Sequence, residues 1–422
     1  MLLDKLNNFY LDRYGSPGPL INSTPKKGLK IIVIIPCHNE PNVTETLESL
    51  YNCELPDCYI EIIIVVNHAE NSADRIKKFN IKTVETLEKW ITIQKSKRIS
   101  TFVIKAYDLS KKHAGVGLAR KIGMDEAVRR FELIHDKKGI IVSLDADSLC
   151  SAKYLSEIHK TYIKDPTTRA ALLHFEHPLE GNMLPAVYHG IINYELHLRY
   201  YKNALKFTHF PYSYHTVGSC ITVTSETYQK QGGMNKRKAG EDFYFLQKIF
   251  PHGNIRNITD AKVIPSPRPS DRVPFGTGKA INKFLASPVN EYFTYNPKIF
   301  IDLKSLIFVI PDFYTEKNGS NILQVLPPSI VAFLKSIDFE HNLFKIKKNS
   351  SSKTMFLKAF FQWFNGFIVL KYVHHARDNY YKDVEILKAT SWILTQLTKS
   401  ESPAVDKKNA LILMRLLDKS DQ

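Results

Sequence analysis

The chain has 422 residues, of which 58 are Lys or Arg and 42 are Asp or Glu, so its formal net charge is +16. Hydrophobic residues make up 44% of the sequence and charged residues 24%, as in ordinary globular proteins. These values exclude a disordered chain, a collagen-like chain and a small disulfide-bonded protein. The positive charge indicates an anionic partner, which is nucleic acid, a phosphate-bearing metabolite or an acidic lipid surface.

The five cysteines include no CxxC pair, so no structural zinc site is predicted and we expect free thiols in a reducing compartment. Residues 1–18 lack the continuous apolar segment of a signal peptide. The most apolar stretch, residues 355–372, contains four strongly polar side chains, so no transmembrane helix is predicted. The sequence therefore predicts a cytoplasmic protein.

The first 150 residues alternate between predicted strands and helices. Residues 29–35, 60–66, 101–106 and 140–144 are the strands, and they are rich in Val and Ile. Continuous apolar strands of this kind are buried on both faces, as in parallel sheets. Pro36 is predicted to end the first strand, and an amphipathic helix is predicted around residues 124–131. The pattern predicts an α/β fold with a mainly parallel sheet flanked by helices.

The pattern changes after residue 147. Residues 170–175 and 218–224 are predicted strands, residues 187–201 a helix and residues 243–249 an amphipathic segment. From about residue 284 the sequence is mostly helical. We therefore predict an irregular N-terminal lead-in at 1–28, a catalytic α/β domain at 29–283 and a mostly helical C-terminal region at 284–422.

Ligands of parallel sheets bind outside the carboxyl ends of the strands, so the polar sequences there are candidate sites. Asp145 and Asp147 follow the fourth strand and are separated by one residue. Mg²⁺ and Mn²⁺ prefer oxygen ligands and often use one or two carboxylates together with substrate phosphates. The alternative interpretation is a strand-ending turn, where Asp is common.

Glu241 and Asp242 are a second acidic pair, at the predicted start of a helix. One interpretation is that they complement the helix dipole. The other is catalytic, with one carboxylate removing a proton from an attacking hydroxyl.

Two segments combine glycine with arginine. Residues 113–120 form a Gly-containing loop that leads into a helix, which suits an anion, but Arg120 stands where the dinucleotide-binding pattern needs its last glycine. Residues 266–278 contain Arg268 and Arg272, and guanidinium groups suit phosphate or carboxylate. The alternative for the second segment is a proline-rich surface loop.

Four motifs in register resemble the family 2 glycosyltransferases of the GT-A fold over about residues 29–250. They are residues 34–40 (IIPCHNE), residues 117–120 (GLAR) with Gly123, residues 144–147 (LDAD), and residues 232–234 (GGM) followed by Glu241 and Asp242. The resemblance implies a Rossmann-like, mainly parallel sheet and a nucleotide-sugar-dependent transferase.

The resemblance also implies roles for individual residues. It places the nucleotide-sugar against a set of polar and turn residues, which are Pro36, His38, Asn39, Glu40, Asn67, Arg120, Asp145, Ala146 and Asp147. It implies that Asp147, with Asp145, meets a Mn²⁺ or Mg²⁺ ion. It implies that Asp242 is the general base of an inverting transfer and that Glu241 supports it. We add the hypothesis that Arg268 and Arg272 meet the diphosphate.

The sequence departs from the family pattern in three respects. Asn67 stands where an acidic residue is common, no third metal ligand is evident near residues 263–266, and the QxxRW signature of processive polysaccharide synthases is absent. A chain polymerase is therefore not predicted.

We predict a glycosyltransferase that moves a sugar from a nucleoside-diphosphate sugar, UDP-linked, to a hydroxyl acceptor. The alternatives are a retaining GT-A transferase, a sugar-phosphate nucleotidyltransferase and an inactive nucleotide-sugar-binding protein. The sequence after the first strand, residues 36–40, lacks the Gly-rich loop of nucleotidyltransferases. Nucleic acid becomes the least favoured partner, and the remaining positive charge is interpreted as solvated surface or as peripheral attraction to an anionic face of the inner membrane.

Overall fold

The computed structural model describes residues 8–271, 276–287, 291–316, 320–399 and 406–420. Its contacts divide the chain into two compact units. The first comprises the described parts of Met1–Met183, Thr216–Asn282 and Lys419–Gln422, and the second those of Leu184–His215 and Lys283–Asp418. The second unit thus includes a segment from inside the predicted catalytic domain, whose boundaries stay a prediction.

The first unit contains an eight-stranded sheet with strand order β3-β2-β1-β4-β7-β6-β8-β5. Its strands are β1 (Leu29–Cys37), β2 (Tyr59–Ala69), β3 (Ile99–Leu109), β4 (Ile140–Ser143), β5 (Leu149–Cys150), β6 (Ala170–Phe175), β7 (Ile221–Thr224) and β8 (Ile255–Ile264). The four strands from β3 to β4 are parallel, β6 is parallel to β8, and the pairs β4–β7, β6–β7 and β5–β8 are antiparallel.

Helices flank this sheet in the first unit. They are α1 (Phe9–Tyr14), α2 (Val43–Tyr51), α3 (Asp74–Ile93), α4 (Val116–Leu133), α5 (Tyr154–Lys164), α7 (Ser225–Lys230) and α8 (Glu241–Ile249), and α9 (Thr277–Leu285) begins there. Two short 3-10 helices lie at Gly218–Cys220 and Phe250–His252. The predicted fold class, a mainly parallel sheet flanked by helices with a mostly helical C-terminal region, is confirmed.

The second unit is mostly helical. It contains α6 (Pro185–Phe207), α10 (Pro297–Val309), α11 (Ser320–Gln324), α12 (Pro328–Ser336), α13 (Phe339–Lys348), α14 (Lys353–Trp363), α15 (Gly366–Asn379), α16 (Ile386–Thr398) and α17 (Lys407–Lys419). A 3-10 helix spans Ile310–Tyr314, and β9 (Phe293–Thr294) pairs antiparallel with β10 (Val384–Glu385). Among the described residues, no helix combines the length and the apolar character needed to cross a bilayer.

The prediction that Pro36 ends the first strand is wrong. Pro36 pairs in parallel register with Val65, and β1 continues to Cys37. The backbone of a strand turns alternately to its two neighbours, and the carbonyl of Ile34 faces β4, where it accepts from the Leu144 N–H at 3.0 Å. The nitrogen of Pro36 therefore faces the β4 side, where the pairing has already ended at Ser143, so its missing N–H breaks no ladder hydrogen bond.

Helix α4 is buried around most of its circumference, so the prediction of an amphipathic helix here is wrong. The predicted irregular lead-in covers it, and α1 within that lead-in is helical. The buried carboxylate of Asp125 on α4 accepts from the Tyr10 hydroxyl and from the Ser16 N–H, each at 2.7 Å. It also accepts from Lys121 at 2.9 Å and from the Tyr228 hydroxyl at 2.8 Å. Polar residues of α4 can therefore be buried because residues of the lead-in form hydrogen bonds with them.

We predict that Asp125→Ala lowers the free energy of unfolding by about 3–5 kcal/mol, because it leaves Lys121 buried without its counter-charge and removes the acceptor of three further donors. Urea denaturation followed by circular dichroism measures the change. Asp12→Ala removes an exposed carboxylate from α1 and should change stability by about 0.5 kcal/mol or less. Equal effects of the two substitutions would contradict the role of Asp125.

Candidate active site

The carboxyl ends of β1 and β2 are joined by a small hydrogen-bonded cluster. His38 lies after β1, and its Nδ1 is 2.7 Å from the carbonyl oxygen of Asn67 on β2. Asn80 on α3 is fully buried and bonds to both ends. Its Nδ2 donates to the same Asn67 carbonyl at 2.9 Å, and its Oδ1 accepts from the Asn39 N–H at 2.9 Å. The structure therefore brings residues 36–39 and Asn67 together, as expected for a shared binding surface.

Sequence reasoning missed Asn80. The available signal is the position of Asn80 in α3. It lies about one helical turn before Thr83 and Val84, which are buried on the same helix. Asn is an ordinary surface residue in helices, so this signal becomes readable only when the helix position is known to be buried.

Glu40 anchors an arginine. Its side chain is almost fully buried, with 1% of the residue exposed. One carboxylate oxygen accepts from the Asn42 N–H at 3.0 Å, and the other accepts from Nη2 of Arg268 at 2.6 Å. The same Nη2 lies 3.8 Å from Oδ2 of Asp147. The structure thus brings Arg268 beside Asp147, whereas Arg272 lies outside the described residues.

A cavity of about 170 Å³ opens beside Asp147 and Arg268. It is also lined by Glu45 and Thr46 of α2. The Thr46 hydroxyl donates to the carbonyl of Ala146 at 2.9 Å, so α2 fixes the backbone between the two aspartates. Of the predicted residues 145–147, Asp147 therefore lines a concave surface of mixed polar and apolar side chains.

Arg120 joins two acidic segments of the site. It lies in the second turn of α4 and is buried, and its two terminal nitrogens donate to Asp145 and to Glu241. Burial by itself would lower the pKa of Arg120, but Asp145 and Glu241 raise it further, so the guanidinium stays charged. It is therefore a permanent cation between the end of β4 and the start of α8.

The guanidinium of Arg120 needs glycine beside it. A Cβ built on Gly218 would lie 2.6 Å from Nη2 of Arg120, which is closer than side chains tolerate. A Cβ on Gly117 would lie 2.2 Å from the carbonyl oxygen of Arg237. The predicted anion-binding segment 113–120 thus packs closely against residues 235–238, and its arginine meets carboxylates inside the protein.

Asp242 follows Glu241, the partner of Arg120, and its carboxyl group has a different electrostatic environment. Burial of its carboxyl group and the neighbouring charge of Glu241 together raise the pKa of Asp242 to about 7, against the opposing effect of Arg120. Oδ1 of Asp242 accepts from the Phe243 N–H at 2.7 Å. The two adjacent carboxylates therefore have different environments, since Glu241 is ion-paired with Arg120 while the pKa of Asp242 is raised towards neutral pH.

The residues suit a divalent cation only as part of an open site. Among the described residues, no cluster of three or more His, Cys, Asp and Glu side chains has the arrangement of a metal site. Asp145 is ion-paired with Arg120, and Asp147 lines the cavity. One or two carboxylate ligands completed by substrate phosphates are the usual way in which Mg²⁺ binds, so the donor set fits that type of site.

Comparisons with known proteins identify the family that part of the chain resembles. Residues 32–213 match the family model described as glycosyl transferase family 2. No curated protein matches the sequence.

Solved structures with low similarity include glycosyltransferases. S. aureus TarS 1-349 in complex with UDP-GlcNAc is 13% identical with a TM-score of 0.39, covering 93% of this chain and 92% of that chain. The mannosyltransferase PcManGT from Pyrobaculum calidifontis in complex with GDP-Man and Mn²⁺ is 14% identical with a TM-score of 0.34, covering 97% and 92%. The match over residues 32–213 confirms the predicted resemblance of this segment to family 2 glycosyltransferases.

Proposed function

We propose that the protein transfers a sugar from a UDP-linked donor to a hydroxyl acceptor with inversion, and that Asp242 is the general base. The observation that carries this proposal is the environment of Asp242, whose pKa is raised to about 7 beside the ion-paired Glu241. A general base is most effective when its pKa lies near the working pH. An aspartate whose pKa had its ordinary value would be a weaker base.

The donor occupies the carboxyl ends of β1, β2 and β4. Its base and ribose lie against Pro36, His38, Asn39 and the Asn67 segment, which the hydrogen bonds of Asn80 hold in place. Arg268 faces its diphosphate. The pairing with Glu40 positions this arginine, and its approach to Asp147 places positive charge at the cavity. Guanidinium groups suit phosphate because they donate two parallel hydrogen bonds.

Mn²⁺ or Mg²⁺ would be held by Asp147, with Asp145 as a second oxygen donor, and would neutralise negative charge on the leaving diphosphate. The chain's own residues do the rest. Asp242 accepts the proton of the acceptor hydroxyl, whose oxygen forms a bond to the anomeric carbon while the bond from that carbon to the diphosphate oxygen breaks. Glu241 and Arg120 hold the segment of Asp242 in place.

The proposal is tested by incubating the purified protein with a panel of nucleotide-sugars, with and without Mn²⁺, and measuring release of the nucleoside diphosphate. Release from one UDP-sugar, stimulated by the cation, is the expected result. NMR of the first-formed product then gives its anomeric configuration. Retention of configuration would overturn the role of Asp242, and absence of release from every donor would overturn the transferase assignment for this site.

Asp242→Asn should lower kcat by a factor of about 10² to 10⁴, because the amide cannot accept the hydroxyl proton. Binding of UDP, measured by calorimetry, should stay within about twofold, since a group that acts in the transition state is removed. Asp12→Asn, at an exposed site on α1, is the matched control and should leave kcat unchanged. Full turnover by Asp242→Asn would contradict the assignment.

The raised pKa of Asp242 also predicts a pH profile. The base must be ionised, so kcat/KM should be constant above the pKa of about 7 and should fall roughly tenfold per pH unit below it. Initial rates between pH 5 and pH 9, with stability checked at each pH, measure the profile. A plateau that extends down to an ordinary carboxylate pKa of about 4 would exclude Asp242 as the titrating base.

Arg268→Ala should weaken donor binding by about tenfold to a hundredfold, because a charge-assisted phosphate contact is lost. It also leaves Glu40 buried without its cation, so Arg268→Lys is measured beside it to keep the charge. Arg256→Ala removes an exposed arginine that pairs with Asp165 and is the matched control. Unchanged KM and turnover in Arg268→Ala would remove this residue from the donor site.

A further inference from the structure

Helices α13 and α14 form a helical hairpin in the second unit. Four residues, 349–352, connect them, and the Ser352 side chain caps α14 by accepting from the Met355 N–H at 3.3 Å. Aromatic residues hold the two helices together. The ring of Phe339 lies 6.4 Å from that of Phe360 and 6.0 Å from that of Trp363. The hairpin is therefore a packed element with defined inner and outer sides.

The outer side of the hairpin is strongly basic. The hairpin residues 339–363 contain five Lys and one Glu, so they carry +4, while the rest of the region 301–422 sums to +1. Four of the lysines are exposed, and these are Lys345, Lys348, Lys353 and Lys358. The acidic residues nearest in sequence, Asp338 and Glu340, lie at the opposite end of α13 from Lys348.

These lysines are not satisfied inside the protein. Within the described ranges, the ammonium groups of Lys345, Lys348, Lys353 and Lys358 have no carboxylate partner. Lys347 differs, because it is half-buried and donates to the carbonyl oxygen of Glu316. The positive charge of the outer side is therefore open to an external anion.

Two large apolar side chains stand among the lysines. Phe344 on α13 is 65% exposed and Met355 on α14 is 51% exposed. Phe344 lies one helical turn from Lys348, and Met355 lies three residues before Lys358, so each shares a helix face with a lysine. Single exposed apolar residues are common, but apolar side chains flanked by lysines with no acidic residue among them match the composition of membrane-surface helices.

We propose that this outer side, defined by Phe344, Lys345, Lys348, Lys353, Met355 and Lys358, binds the surface of a membrane that contains anionic lipids. The lysines meet lipid phosphates, and their long apolar stems allow the ammonium groups to reach the headgroups while Phe344 and Met355 enter the interfacial layer. A soluble polyanion would use the lysines alone. The two apolar side chains favour the lipid surface.

The full chain is tested by sedimentation with vesicles of phosphatidylcholine, with or without phosphatidylglycerol. Binding is expected only with the anionic lipid, and it should weaken as salt is added. Replacing three exposed lysines (Lys345→Gln, Lys348→Gln and Lys358→Gln) should lower the partition coefficient by on the order of a hundredfold. The matched control replaces three exposed lysines of α3 (Lys78→Gln, Lys82→Gln and Lys89→Gln) and gives the same net charge. Equal losses in both variants, or no binding to anionic vesicles, would overturn the proposal.

A second variant separates a lipid surface from a soluble polyanion. Phe344→Ser with Met355→Ser should reduce vesicle binding by about tenfold or more, because apolar area no longer leaves water. Binding of the same variant to inorganic polyphosphate should be unchanged. Thermal unfolding confirms that both variants are folded. If the serine variant binds vesicles as well as the parent protein does, the surface recognises polyanions and the proposal is wrong.

Discussion

The candidate site depends on one buried cation. Arg120 binds Asp145 at the end of β4 and Glu241 at the start of α8. Burying separate charges costs several kcal/mol each, and removing one partner of such a pair leaves the other uncompensated. The guanidinium therefore holds two segments, far apart in sequence, in one arrangement. The guanidinium forms ion pairs with Asp145 and Glu241. Asp242, which follows Glu241, keeps a raised pKa, as suits a base.

A second arginine repeats this arrangement at the other side of the strand ends. Arg268 is held by the buried Glu40 and approaches Asp147. Glu241, Asp242 and Arg268 all lie beyond residues 32–213, the range of the family match. The family segment therefore supplies most of the sheet and both aspartates, and later segments of the first unit supply β7, β8 and the remaining candidate residues. Each arginine ties one of these later segments to residues of the family segment.

The central strands and the Asp145–Asp147 pair could be predicted from the sequence because their signals are local. The runs of Val and Ile in β1 and β2 indicate buried strands wherever they occur. Asn80, the burial of α4 and the strand β8 could not be predicted, since each depends on a partner distant in sequence. Charged residues of α4 look like a solvated face until the lead-in is known to cover them, and Pro36 looks like a strand end until β4 is known to stop at Ser143.

The position of the charged residues also decides what the net charge means. A total of +16 does not choose between a nucleotide, a nucleic acid and a lipid surface, because a sum contains no positions. In the structure Arg120 is buried between carboxylates and does not contribute to a basic surface, whereas Arg268 is partly exposed beside Glu40 and Asp147. The hairpin of α13 and α14, residues 339–363, carries five lysines and one glutamate, or +4, and it exposes Phe344 and Met355. Lysines next to exposed apolar side chains define a surface for a partner that has both negative charge and an apolar layer. An anionic bilayer interface has both.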